Sequence, residues 1–259
     1  MIQLDFGFGP IEAEFWRWMF AMTRIGAAMM AVPFFGGGTV PPQIRVILTG
    51  AIAVLVCAWT PLAAPPALLS AQGLLVVLGE VLVGLSLGFV LQILFAGPTI
   101  GAEIIGGAMG MSMASTVDPH SGSHSPALGQ YFAVVLTLVF LGVGGHLQWI
   151  ALVIESYRVF PPGETWIGAG RLAQVAGFAG LMFATAIAVA LPVTLVLLLV
   201  QVLTVVPSRS APALNLFALG LPAGVIAGLA ALIVSAPLVT DQMTTLSAEA
   251  IAAARSLLA

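Results

Sequence analysis

The residues best equipped for chemistry lie close together in "MSMASTVDPHSGSHSPALGQ", residues 111–130, the most polar long run in the chain. Asp118, His120 and His124 could in principle bind a metal, with two histidines at i and i+4 sharing a helical face. Gly122, Pro119 and Pro126 make a helix across this run implausible. Two loop histidines and one carboxylate also fall short of the three firm ligands and supporting hydrogen bonds that zinc takes. Ser121, Ser123 and Ser125 stand near the histidines, yet nothing in their spacing fixes a base or an oxyanion hole. No Walker loop, H-E-x-x-H or G-x-S-x-G stretch is present. Neither catalysis nor a metal or other cofactor is expected.

Three further ionisable residues, Arg24, Glu80 and His146, interrupt apolar segments. Placing an Arg or Asp in the middle of a membrane helix costs at least ~2.5 kcal/mol, so such a group implies a purpose. One reading is a proton or substrate pathway, with Glu80 titrating and Arg24 as its counter-ion. The other is an internal ion pair, or a contact to a partner subunit. A proton-coupled carrier would more comfortably show several acids on one face, whereas Glu80 and Glu103 are far apart with no acidic ladder between them.

The setting of these residues is set by composition. The chain has 259 residues, 60% hydrophobic and 7% charged, against about 25% charged in an ordinary soluble domain. A mean hydropathy of +1.14 leaves a soluble fold nothing to cover its surface with. The solvent must be lipid or neighbouring apolar helices, and an all-α integral membrane protein is expected. The seven basic side chains are all Arg and the formal charge is −3. This excludes the basic face that nucleic-acid binding needs, and no cluster of basic residues supplies a lipid-surface anchor. The single cysteine, Cys57, can form no internal disulfide. The opening "MIQLDFGFGPIEAEFW" is acidic and carries no cleavage pattern, so no signal peptide is expected.

Runs of about 20 apolar residues are long enough to cross a bilayer core as helices. Six are visible, at about 15–35, 44–64, 73–96, 128–154, 171–206 and 213–240, followed by a short amphipathic helix over 241–259. With six crossings, Arg158, Arg171 and Arg255 would face one side and Arg45 and Arg209 the other, too even a division to set an orientation. Pro192, Pro222 and Pro237 lie inside apolar runs. A proline at membrane depth frees a backbone carbonyl, which protein or water must satisfy, so these helices are expected to pack mainly against other helices. Glycines four residues apart point the same way: Gly84 and Gly88, Gly97 and Gly101, Gly106 and Gly110, and Gly220, Gly224 and Gly228. Such stripes let helix backbones approach closely, which drives association in lipid.

Ahead of the polar run, Met109, Met111 and Met113 alternate in "GGAMGMSMAS". In an extended chain all three point the same way, and methionine is flexible enough to re-pack as a soft seal. Ordinary core methionine is the competing reading.

Taken together, these stretches resemble the FliR family of flagellar biosynthetic proteins and its injectisome counterparts, over nearly the whole chain and in order. "TRIGAAMMAVPFFGGGTVPPQIRVILTGAIA" is similar at Arg24, Pro33, Gly36, Pro41 and Arg45. "GAEIIGGAMGMSMASTVDP" resembles the family's glycine-rich helix and the turn that follows, ending here on Asp118 and Pro119. "FLGVGGHLQWIALVIESYRVFPPGE" matches its "GH" helix with the Ser and Pro beyond it. "SRSAPALNLFALGLP" is similar at Arg209, Pro212, Asn215, Gly220 and Pro222.

The resemblance implies one export-gate domain over 1–259, of partly kinked helices arranged as hairpins. It implies assembly with FliP-like and FliQ-like subunits and an FlhB-like protein, in the bacterial inner membrane at the flagellar basal body. Unfolded export substrates would pass through the channel. It further implies a plug loop at about 109–125, with Met109, Met111, Met113, Val117, Asp118 and Pro119 as candidate pore residues. Family members often carry aromatic residues near Met113 and Val117, whereas this chain has none between Phe95 and Tyr131. The seal here would therefore rest on methionines or be looser. The other readings are an injectisome subunit, a lone carrier or channel centred on Glu80 and Arg24, and a structural subunit of an unrelated complex. A carrier should show an internal repeat, and none of useful length is present.

Overall fold

The computed structural model describes residues 10–36, 40–60, 62, 70–111, 126–162, 169–210 and 216–259. Among them there is no strand, and eight helices follow one another: α1 (Pro10–Ala31), α2 (Pro33–Gly36), α3 (Pro42–Trp59), α4 (Ala71–Ala108), α5 (Pro126–Gly142), α6 (Gly145–Val159), α7 (Ala169–Ser210) and α8 (Leu216–Ser256). The all-α membrane fold expected from composition is the fold observed. Four of the described helices are long and apolar enough to cross a membrane, or five if α5 and α6 count as one broken span.

The helices take in all six apolar segments read from the sequence, and where their limits differ each difference has a cause. The first segment becomes α1, whose Glu14, Arg17 and Arg24 keep it out of the four. The third was expected to end at 96, but α4 continues through Pro98 to Ala108. An interior proline costs a helix about 3 kcal/mol; here Gly97 and Gly101 pack closely on α7, and the Thr99 hydroxyl donates to the Phe95 and Ala96 carbonyls at 3.2 and 3.0 Å. The fourth segment breaks at Val143 and Gly144, where Gly144 takes the left-handed φ of 73° that favours glycine. The separate amphipathic helix at 241–259 is instead the last part of α8, which turns off only after Ser256.

At 1.5 Å per residue, the 38 residues of α4 extend roughly 57 Å and the 42 of α7 roughly 63 Å. Both are about twice the ~30 Å hydrocarbon thickness. A single simple crossing does not account for either helix.

The chain divides into two compact units. One comprises Met1–Ile93, Gly144–Phe178 and Glu249–Ala259, the other Leu94–Val143 and Ala179–Ala248. In the first, α1 and α3 pair as an antiparallel hairpin. The Trp18 indole donates to the Gly50 carbonyl at 3.0 Å, over a backbone from which a Cβ would lie 3.1 Å from the ring. α4 lies parallel to α1, with Gly84 and Gly88 against its backbone. A Cβ at Gly88 would stand 2.6 Å from the Ala28 carbonyl oxygen and 2.7 Å from the Ala31 methyl, and one at Gly84 would fall on the Arg24 carbonyl. α6 runs antiparallel to both and places Trp149 in the core, its indole donating to the Leu87 carbonyl at 3.2 Å.

In the second unit, α4 and α7 are parallel neighbours through Gly97 and Gly101, which face Met182, Thr185, Ala186 and Val189. Phe95 meets Phe140 of α5 edge to face at 5.3 Å between ring centres. Outward faces of both units stay apolar: Ile47 and Trp59 on α3, Leu138 on α5, Ile233 and Val234 on α8 are all exposed. Such a surface suits lipid or partner helices and not water.

Because backbone lies where a Cβ would go, Gly84→Ala and Gly88→Ala should each destabilise the purified protein by about 1–3 kcal/mol. Gly79, on the same helix, has nothing within 4 Å of an added methyl. Gly79→Ala should be neutral or stabilising by up to ~1 kcal/mol. Thermal unfolding of the three variants in detergent checks the contrast.

Candidate functional site: a buried arginine junction and a capped helix end

Arg24, one of the polar residues singled out in the sequence, lies in the core of the first unit with Glu80. Their side chains are 1% and 3% exposed. The pairing is two-pronged: Nε donates to Glu80 Oε2 and Nη2 to Oε1, both at 2.8 Å. Nη2 also donates to the Phe160 carbonyl at 2.8 Å, and Nη1 to Ser156 Oγ at 3.2 Å. The planar guanidinium stacks over the Tyr157 ring, 4.2 Å from its centre. Both carboxylate oxygens and four guanidinium N–H groups are thus engaged by protein partners. Charge-assisted, bidentate contacts of this kind are the strong ones.

Each helix supplies its part for a local reason. Arg24 sits on the inner face of α1, between Ala21, Ile25 and Ala28, all buried. Glu80 reaches it because α4 and α1 approach so closely at Gly84. Ser156, Tyr157 and Phe160 come from the end of α6, where the helix stops and frees the Phe160 carbonyl as an acceptor. The Tyr157 hydroxyl donates to the Ala21 carbonyl at 2.6 Å, and the Ser156 hydroxyl to Val153 at 2.6 Å. The geometry is that of an internal ion pair fastening three helices. Glu103 is exposed on α4 and takes no part. His146 is not in the junction. It lies in the first turn of α6, half buried, its Nδ1 without a hydrogen-bond partner among the described residues.

Ser156, Tyr157 and the Phe160 carbonyl were not foreseen as junction members. Tyr157 is one of only two tyrosines, and a phenol in an apolar run needs an acceptor; that was the available signal. Nothing in a sequence announces a backbone carbonyl.

The second feature is the end of α4. Gly110 takes φ 82°, Met111 N–H donates to the Gly106 carbonyl and Gly110 N–H to Gly107, each at 3.0 Å. This is a Schellman stop, with glycine at the left-handed position. Met109 is buried and rests on α8, where Gly224 and Gly228 leave room: a Cβ at Gly228 would be 2.6 Å from Met109 Cγ, and one at Gly224 3.0 Å from the Met109 carbonyl oxygen. Residues 109–111 therefore turn and do not extend, so the alternation of Met109 and Met111 does not align their side chains. Met113, Val117, Asp118, Pro119, His120 and His124 lie outside the described residues, as do Pro212 and Asn215.

The remaining motif residues are dispersed. Pro33 opens α2; Pro41 precedes the first turn of α3, and Arg45 Nη2 donates to the Val40 carbonyl at 2.9 Å, tying that turn. Arg209 falls in the last turn of α7 and Pro222 inside α8. Gly220 faces open space, apart from the Gly224–Gly228 contact. His, Cys, Asp and Glu form no metal-holding group among the described residues.

Helix for helix, the stretches that build these two features fall inside one family match: bacterial export proteins, family 1, over residues 15–250. The chain belongs to that family. Its relatives in the export family include the flagellar biosynthetic protein FliR of Pectobacterium carotovorum subsp. carotovorum, 28% identical over 88% of this chain and 86% of that protein. FliR of Escherichia coli (strain K12) is 28% identical over 84% and 83%. FliR of Bacillus subtilis (strain 168) is 30% identical over 77% and 78%. This FliR-family chain is a membrane component of the flagellar type III export gate, working in a complex with other export proteins.

If the Arg24–Glu80 pair is a fastener, single and double removals should differ. Arg24→Leu or Glu80→Leu alone leaves a buried charge unpaired and should cost about 3–5 kcal/mol, while the double variant should recover much of that loss. Tyr157→Phe should cost about 1 kcal/mol. A double-mutant cycle on thermal stability in detergent measures both. Equal losses in all three Leu variants would reject the fastener.

Proposed function

We propose that this chain forms part of the wall of the flagellar export channel in the bacterial inner membrane. In that reading it assembles with FliP-like and FliQ-like subunits and an FlhB-like protein, lets unfolded substrates pass, and catalyses no reaction. It acts as a single export-gate domain over 1–259, with the glycine stripes serving subunit packing as well as internal contacts. The segment at about 109–125 plugs the channel at rest, with Met109, Met111, Met113 and Val117 at the seal and Asp118 and Pro119 in the turn beyond them.

The observation that carries this reading is the match of residues 15–250 to the export family, joined to helices that expose many large apolar side chains. The Schellman stop of α4 fits the plug, because it ends the glycine-rich helix immediately before the polar run and gives that run a fixed starting point. The buried Arg24–Glu80 pair does not favour a proton-coupled carrier, since both carboxylate oxygens and all three guanidinium nitrogens have protein partners.

Cells lacking the gene are expected to be non-motile and to secrete no filament protein, and the wild-type gene to restore both. A variant with residues 111–117 deleted is expected to assemble and to let small ions leak. Motility that persists without the gene would reject the flagellar reading; a tight deletion variant would reject the plug alone.

A further inference from the structure

We propose that the second unit meets lipid acyl chains directly, along α7 from Phe183 to Leu203 and along α8 as far as Leu238, and that α8 passes into water at Thr240. All of these residues belong to that one unit. Neither a plug nor a channel lining is needed for this surface.

Phe183, Ile187, Leu191, Leu195, Leu199 and Leu203 recur at every fourth position of α7, and each is more than half exposed. No Asp, Glu, Lys or Arg lies between Gly180 and Leu203, so the stretch matches hydrocarbon in charge. It also matches in length. At 1.5 Å per residue Phe183 and Leu203 stand roughly 30 Å apart, close to the ~30 Å thickness of a bilayer core. Polar side chains along it are satisfied by protein. The Thr185 and Thr194 hydroxyls donate to the Leu181 and Ala190 carbonyls of their own helix, each at 2.9 Å. Gln201, within a turn of the far end, donates to the Ala108 carbonyl at 2.9 Å.

Two features favour lipid over a partner helix. The first is direction. A row at every fourth residue drifts about 40° per step, so the six positions wind through roughly 200°, well beyond the ~100° stripe that a helix turns to one packed side. Acyl chains can cover a surface that winds; one straight neighbour cannot. The second is size. Helices in membranes approach each other over small residues, and this unit does so where its own helices meet, at Gly97 and Gly101 against α7 and at Gly224 and Gly228 against Met109. The winding row is Phe, Ile and Leu, which hold a neighbouring backbone away.

On α8 the apolar band has an edge. Ile226, Leu229, Ile233, Val234 and Leu238 are exposed, and the next exposed positions are Thr240, Asp241, Thr244 and Thr245. An exposed carboxylate is costly in hydrocarbon and at ease in water. The change falls within one turn, between Leu238 and Asp241, and the hydrocarbon boundary is assigned there.

Cys57 is the single cysteine of the chain, so Cys57→Ser provides a background for adding one cysteine at a time. Leu191→Cys, Leu195→Cys, Ile233→Cys, Thr244→Cys and Thr245→Cys, each first shown to restore motility, are spin-labelled in the full chain. The chain is purified with the export proteins that assemble with it and reconstituted in vesicles of phosphatidylethanolamine and phosphatidylglycerol. Power saturation then reads collisions with oxygen, which concentrates in lipid, and with a water-soluble nickel chelate. At Leu191, Leu195 and Ile233 oxygen is expected to exceed nickel several-fold, and at Thr244 and Thr245 the ratio is expected to reverse. Low collision with both reagents at the first three positions means that protein covers them, and overturns the proposal while leaving the export reading intact. Dominant nickel collision there places them in water and overturns it as well. A ratio that fails to reverse at Thr244 and Thr245 overturns the boundary on α8.

Discussion

One charged side chain governs the first unit. Arg24 is buried in a chain of which only 7% is charged, and a guanidinium without partners is not tolerated away from water. The fold answers with Glu80, the Phe160 carbonyl, Ser156 and the face of Tyr157. Meeting all of them requires α1, α4 and α6 to be in register to within a fraction of a helical turn. The hydrophobic effect cannot impose that register in lipid, where the tails are as apolar as the side chains. A buried, directional pair can.

Close approach is the condition for that pairing. Gly84 and Gly88 remove the side chains that would hold α4 away from α1, and the same device recurs at Gly97 and Gly101 against α7 and at Gly224 and Gly228 beneath Met109. Glycine in a helix costs about 1 kcal/mol relative to alanine. Dispersion contacts over closely apposed backbones offset that cost, and in a membrane they carry most of the association energy. Proline is handled similarly: α4 continues through Pro98, flanked by the contacts of Gly97 and Gly101 with α7.

Ion-pair and glycine contacts make the units firm, and the end of α4 is fixed both by its own backbone turn and by contacts to α7 and α8. Many outward residues are large and aliphatic, which suits a chain that presents itself to lipid and to other subunits.

Several of these features were legible in the sequence because they depend on residue type alone. Membrane solvent follows from composition, helical class from the length of the apolar runs, close packing from glycine spacing, and the interest of Arg24 and Glu80 from the cost of burying them. The end of the glycine-rich helix was not legible: Gly110 was read with Gly106 as one packing stripe, and its left-handed φ of 82° shows only in the folded chain. Helix limits were less legible: α4 runs through Pro98 and α8 absorbs an apparent terminal helix, because tertiary contacts outweigh local breakers. Which groups meet Arg24 was decided only by the tertiary structure. Two of its partners are ordinary residues, Ser156 and Tyr157, and a third is a backbone carbonyl, and no local pattern marks such groups until three helices bring them together. Gln201 is the same case, for the Ala108 carbonyl that it meets ends a helix distant in the chain. A sequence records what each residue can do; only the packed chain decides which residues come within reach.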